Sequence, residues 1–264
     1  GAVLLTVPEL AHLSAVMFDD QKEVTVTGTV NFTGTPPSGE PIDMSEEPTC
    51  QQKHAGGARD PVVVVTDGKL ANVFVFVKSG LPAGQTYPVP SSAAVLDQDG
   101  CLYEPRNFGV MVGQQLEIKN SDPVLHNIKA VPTKNRGFNI SQPTQGMTST
   151  RTFNTKEVMV PLECNVHGWM KASVTVLNHP FFASTGNDGT FTIRGLPAGT
   201  YEIEFRVGPE GAIGAMLDWL AGWVGILPDE TWPVERRRAL VALAVQLYRK
   251  RGTAAGLAMH VRLL

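Results

Sequence analysis

Within the stretch ECNVHGWM (residues 163–170), Cys164, His167 and Met170 follow one another at intervals of three. A thiolate, an imidazole and a thioether form a soft donor set that selects copper or zinc over calcium or magnesium. Each residue alone has a plainer reading: cysteine as a small buried hydrophobe, methionine as core filler, histidine as a solvated turn residue. A spacing of three would also place the side chains on one face of a helix. The flanks point elsewhere, because VMVPLE before the motif and ASVTVL after it are Val-rich and alternate apolar with polar residues. That is strand patterning, so the motif falls in the loop between two strands. One more imidazole would complete a site of one Cys, two His and a weak axial Met, a geometry that suits copper. GQQLEIKNSDPVLHN (113–127) supplies it: a strand with Leu116 and Ile118 inward, an Asp-Pro turn, then His126.

The joint pattern resembles the cupredoxins, in which a strand of the form V-G-x-x-L-x-I-x-N-x-D leads to His-Asn and a later Cys…His…Met loop. The Cys-x2-His-x2-Met spacing is most similar to the short loop of amicyanin-like members, and the resemblance covers about residues 89–178. It implies one type 1 copper, with His126, Cys164 and His167 as equatorial ligands and Met170 as the axial one. It also implies that Asn127 hydrogen-bonds across to the Cys loop and ties the ligand strands together. Trp169, with Gly168 and Pro161, would form an apolar shell and a docking patch around His167, the alternative for Trp169 being an ordinary core aromatic. The implied activity is single-electron carriage between redox protein partners rather than catalysis. Copper oxidases and nitrite reductases need further histidine clusters, whereas His12, His54, His179 and His260 are scattered and form no His-x-His pair. Zinc on the same ligands would leave Met170 unexplained, since zinc takes thiolate, nitrogen and oxygen donors.

The elements that must position these donors belong to a chain of 264 residues, long enough for two modest domains. Of its three cysteines, Cys164 is taken by the metal motif, leaving Cys50 and Cys101 in loop-like settings. An even remainder fits one disulfide closing a loop of about fifty residues, worth roughly 3–4 kcal/mol on a chain-entropy view; the alternative is two free thiols. A disulfide would imply an oxidising compartment, the periplasm or the cell exterior. No run of 18 apolar residues indicates a membrane span, and residues 1–13 show no basic n-region or clear cleavage site.

EVTVTGTVNFTG (23–34) alternates strictly, residues 35–60 read as a long irregular loop, and PVVVVTDGKLANVFVFVKSG (61–80) reads as two strands around an Asp67-Gly68 turn, with Phe74 and Phe76 on one face. TGNDGTFTIRGLPAGTYEIEF, after the Cys loop, resembles the last two strands of carboxypeptidase regulatory-like β-sandwich modules, whose opening and middle strands resemble VTGTVNFTG and ANVFVFVK. The expected fold is therefore mainly β: a Greek-key sandwich over 81–178, inserted in or packed on a second small sandwich made of 23–80 and 179–207. Residues 1–22 form an N-terminal segment and 208–264 a short α-helical tail. The net charge of −3 is uneven, since residues 211–264 carry seven Lys/Arg against four Asp/Glu. Those basic residues flank an apolar helix expected from Pro233 to Arg251 and lack the interleaved glycines or aromatics of nucleic-acid segments. That helix is apolar on most faces and expects cover from another chain. WLAGWVGILPDETWPVERRRALVALAVQLYRKRGTAAGL (219–257) resembles the end of a tail-protein domain of contractile-phage and injection-system baseplates, which implies protein subunits as partners for the tail. Two functions therefore stand at this point: an extracytoplasmic electron carrier, and a structural subunit docked through its tail.

Overall fold

A computed structural model describes residues 23–61 and 63–207. The N-terminal segment 1–22 and residues 208–264, with the helix expected from Pro233 to Arg251, lie outside the described residues. What is described is mainly β, as the strand patterning implies.

The first strand, β1 (Glu23–Thr29), is followed by a short strand β2 (Pro41–Ile42), a helix α1 (Pro48–Lys53) and β3 (Ala58–Arg59). A hairpin of β4 (Val65–Thr66) and β5 (Lys69–Leu70) leads to β6 (Val73–Ser79). Next come β7 (Ala94–Asp99), β8 (Leu102–Glu104), β9 (Asn107–Met111) and β10 (Gln115–Asn120). They are followed by β11 (His126–Ala130), β12 (Phe138–Gln142), β13 (Thr148–Thr152), β14 (Glu157–Glu163) and β15 (Lys171–Leu177). Three strands close the described chain: β16 (Phe182–Ser184), β17 (Thr190–Pro197) and β18 (Glu202–Val207).

Strands β7 to β15 form a large lobe of two sheets, ordered β13-β10-β7-β8 and β12-β11-β14-β15-β9. Both are mixed, since β10 lies parallel to β7 and β15 parallel to β9. Alternate residues of each strand face the space between the sheets, because side chains in a strand repeat with period two. Leu96, Leu116, Ile118, Ile128, Val160, Leu162, Val174 and Val176 thus fill one buried core.

The small lobe joins segments from both ends of the described chain. β1 pairs with β17, and β6 is flanked by β16 and β18. Its core holds Val24, Val26, Val73, Val75, Val77, Phe191, Ile193 and Leu196. β6 explains its own VFVFV sequence: its valines face this core, while Phe74 and Phe76 on the opposite face pack with Leu177, Val158 and Phe182 at the junction with the large lobe. A strand covered on both sides reads as a continuous apolar run.

Two expectations are revised. The Asp67-Gly68 turn is present, with positive φ at both residues as a type I′ hairpin requires. It joins only two-residue strands, and β6 is a separate strand that starts after Asn72, itself at φ 60°. The stretch 35–60 is also more ordered than its Pro, Glu and Gly content suggests. Its β2, α1 and β3 form a strap that packs Met44 and Cys50 into the large-lobe core, 4 % and 0 % exposed. Cys50 is disulfide-bonded to Cys101 with their Cα atoms 5.6 Å apart. Local propensity could not reveal this, because tertiary contacts and a covalent bond supply the order.

Candidate metal centre

β14 and β15 are antiparallel neighbours with Glu163 opposite Lys171, so residues 164–170 form the loop between them. The loop is closed by its own backbone: Cys164 N–H donates to Met170 O (3.2 Å) and Met170 N–H to His167 O (2.9 Å). His167 N–H points at Cys164 Sγ, 3.3 Å away. His126 arrives from the adjoining strand as the first residue of β11.

The three side chains converge. His126 Nδ1 lies 3.0 Å from His167 Nδ1, and Cys164 Sγ lies 4.0 Å from the same His167 nitrogen. Their donor atoms all fall within 4.8 Å of one another, and all three residues are buried. Met170 is fully buried in the same core cluster as Cys164. Asn127 reaches the same loop, its Oδ1 accepting from Asn165 N–H (3.2 Å) beside Cys164. Its amide also donates to Asn139 Oδ1 (2.6 Å) and Ile140 O (2.9 Å), fixing β11 to β12. Trp169 is half-buried, its ring 5.1 Å from that of His167 and its Nε1–H donated to Cys101 O at 3.0 Å. It is thus both a wall of the site and a tie to the disulfide. His167 is less open than a docking residue would be, at 3 % exposure. The exposed apolar residues here are its predecessor Val166 and Leu125, the predecessor of His126, at 49 % and 41 %.

Asp122 is the residue whose role the sequence reading missed. Its sequence context reads only as an Asp-Pro turn, yet its buried carboxylate accepts the His126 Nε2–H at 2.8 Å. Cys101 N–H donates to the same oxygen (2.7 Å), Gly100 N–H to the other (3.0 Å), and Lys53 Nζ also to the other (2.5 Å). The spacing Asp122-x3-His126 is a weak signal for this contact; nothing local signals Lys53, 69 residues upstream of Asp122. Tyr103, whose hydroxyl donates to Asn127 O, carries no local signal of that contact either.

The electrostatics follow from these contacts. Burial alone would raise the Cys164 thiol, but hydrogen bonds from His126, His167 and the backbone N–H groups of His167 and Asn127 bring it down to about 5. Cys164 is then thiolate at neutral pH, the form that binds metal. Burial opposes charge on His126, but the Asp122 carboxylate and the Cys164 thiolate outweigh it and raise its pKa. Asp122 is likewise opposed by burial, yet donors from His126, Lys53 and Cys101 hold it far below the carboxylate range.

The donor set fits a metal of the kind implied. With Nε2–H committed to Asp122, His126 turns Nδ1 inward, and loss of the Nδ1 proton would leave its lone pair for a metal, the usual arrangement for a ligating histidine with a carboxylate behind it. Two metal–imidazole bonds of about 2.0 Å leave their nitrogens little more than ~3 Å apart, close to the observed Nδ1–Nδ1 separation of 3.0 Å. Among the described residues one other donor group gathers, Cys101, Asp122 and His126, but its sulfur is consumed in the disulfide. His54 Nε2–H donates to Gly100 O (2.7 Å) and His179 is buried beside Phe181; neither joins a donor group.

No curated protein matches the chain. Residues 200–264 match a family described as phage tail protein (Tail_P2_I), a match that begins just before β18. Among solved structures, the chain is similar to a purple cupredoxin from Nitrosopumilus maritimus, at 23% identity over 31% of this chain and 98% of that one, TM-score 0.28. An amicyanin variant in its Cu(I) form gives 21% identity over 39% of this chain and 97% of that one, TM-score 0.29. The copper-containing nitrite reductase of Thermus scotoductus gives 17% over 38% of this chain but only 26% of that one, TM-score 0.30. Scores this low carry no functional assignment; the ligand geometry has to do so.

Proposed function

We propose that this protein binds one type 1 copper ion and carries single electrons between protein partners outside the cytoplasm. The observation that carries this reading is the buried convergence of His126 Nδ1, His167 Nδ1 and the Cys164 thiolate, with Met170 closing the same short loop. Copper would supply the one-electron change between Cu(I) and Cu(II). The chain's part is to hold the donors still: the Cys loop is hydrogen-bonded to itself and to Asn127, and His126 is fixed in ring orientation by Asp122. Donors so fixed favour neither oxidation state strongly, so little has to rearrange when an electron moves. Val166 and Leu125 form an exposed apolar edge beside the two histidines, suited to brief docking of a redox partner. The Cys50–Cys101 disulfide supports an oxidising compartment, and no helix among the described residues is long and apolar enough to cross a membrane. The deciding experiment is the visible spectrum of the oxidised, copper-loaded protein, which should show an intense thiolate-to-copper band near ~600 nm. A colourless protein with full copper occupancy overturns the reading.

A second reading rests on the match of residues 200–264 to phage tail proteins. In it the chain is a structural subunit docked through its C-terminal part, with the β lobes carried on an assembly. The two readings are compatible if the copper site serves a larger complex, and co-purification of the full chain with assembly subunits would establish the second.

A further inference from the structure

The strap of β2, α1 and β3 reaches the metal centre by a route the ligands themselves do not require. Four ties hold it to the large lobe: the Cys50–Cys101 disulfide, His54 Nε2 on Gly100 O (2.7 Å), the ion pair of Asp60 with Arg106 (3.0 Å), and Lys53. Lys53 is the last residue of α1, three residues beyond the disulfide, so the covalent bond fixes where its ammonium can go. That ammonium lies 2.5 Å from Asp122 Oδ1 and 2.9 Å from Asp99 Oδ1. Asp122 is wholly buried, whereas the Lys53 side chain is 36 % exposed. The turn receiving the carboxylate is specialised too. Gly100 and Cys101 both have positive φ, at 64° and 56°, which aims their N–H groups at Asp122. A cysteine rarely adopts that conformation.

We propose that Lys53 is a positioning residue of the copper site: carried on a disulfide-anchored strap, its ammonium holds Asp122 in the bridge to His126 and sets the charge felt at the metal. This rests on the copper reading for its effect on potential, but not for its effect on His126. The sign follows from electrostatics. A positive charge near the centre favours the state with one more electron, so removing it stabilises Cu(II) over Cu(I). Removing the charge therefore lowers the reduction potential.

The test uses the full chain with its disulfide intact and compares the parent with Lys53→Met and Lys53→Arg. Lys53→Met should stay blue and shift the Cu(II)-to-Cu(I) affinity ratio about tenfold toward Cu(II), a fall of about 59 mV for one electron. Lys53→Arg, which keeps the charge, should remain within about twofold of the parent. In the metal-free protein, proton exchange at His126 Nε2, followed by 15N NMR, should quicken at least tenfold in Lys53→Met and be restored in Lys53→Arg. A Lys53→Met protein that is blue, with potential and exchange both unchanged, overturns the proposal even if its thermal midpoint falls. Equal shifts in the Met and Arg variants overturn it as well, because charge would not be the cause. A colourless copper-loaded parent refutes the copper reading instead, and the metal-free exchange measurement still decides whether Lys53 positions Asp122 and His126.

Discussion

Cys164 and Met170 occupy the same short loop but have separable tasks. Cys164 is thiolate because four donors surround a sulfur that burial would otherwise keep protonated. Replacing it with alanine removes the only anionic donor among the three convergent residues, so the charge-transfer band should vanish from the absorption spectrum. Met170 is buried behind a backbone that the loop already fixes. Met170→Gln should therefore retain copper and lower the potential, as expected of a weak axial ligand; loss of the metal on dialysis would show that Met170 holds more of the site. Asp122→Asn leaves the His126 ring without its carboxylate and should weaken copper binding by roughly 10–100-fold in a competition titration.

At the scale of elements, the site depends on how closely strands and strap approach one another. Gly109 in β9 sits where the large lobe meets Phe182 and Phe74. A Cβ there would lie 2.6 Å from the Phe182 ring and 2.8 Å from that of Phe74. Both rings are packed into the junction, so they have little room to yield. Gly109→Val should cost about 1–3 kcal/mol in urea unfolding through overpacking, and the visible spectrum should not change, because no ligand touches that face. β6 and α1 show why some elements were legible and others were not. β6 announces itself by its unbroken apolar run, which burial on both faces demands. α1 has six residues, starts with proline and buries only Cys50, so it carries no amphipathic pattern to read.

For the whole molecule, one buried histidine predicts behaviour in acid. Burial and the nearby Lys156 push His179 down to about 4, so it is neutral in the folded protein while its unfolded counterpart titrates near ~6.5. Above that value both states are neutral and His179 contributes no pH dependence. As pH falls from about 6.5 toward 4, the unfolded chain binds the extra proton and stability declines, by at most about 3 kcal/mol. His179→Leu should flatten that part of a stability–pH curve measured by denaturant titration. The C-terminal residues make a different prediction. None of the proposed ligands lies in 208–264, so ending the chain after Val207, which retains β18, should leave the blue spectrum intact and abolish association with tail-bound subunits. A full-length protein that stays monomeric, with its tail protected from protease, would instead place the tail on its own body.

The sequence by itself pointed to the candidate donors and to the strands that carry them. Cys164, His167 and Met170 are close in the chain, and a loop between two Val-rich strands leaves them few places to go. His126 could be found because a strand pattern and a turn precede it. The split small sandwich and the Cys50–Cys101 pair were open to expectation from the sequence, but tertiary structure decided which distant residues meet and in what register. The pairing of β1 with β17 and of β6 with β18 joins segments that lie on opposite sides of the large lobe in sequence. The strap is ordered by a disulfide spanning 51 residues and by a lysine seeking a buried carboxylate. A carboxylate contact is fixed by where two distant segments meet, and hydrophobic periodicity, which records only which face is buried, has no means of registering it.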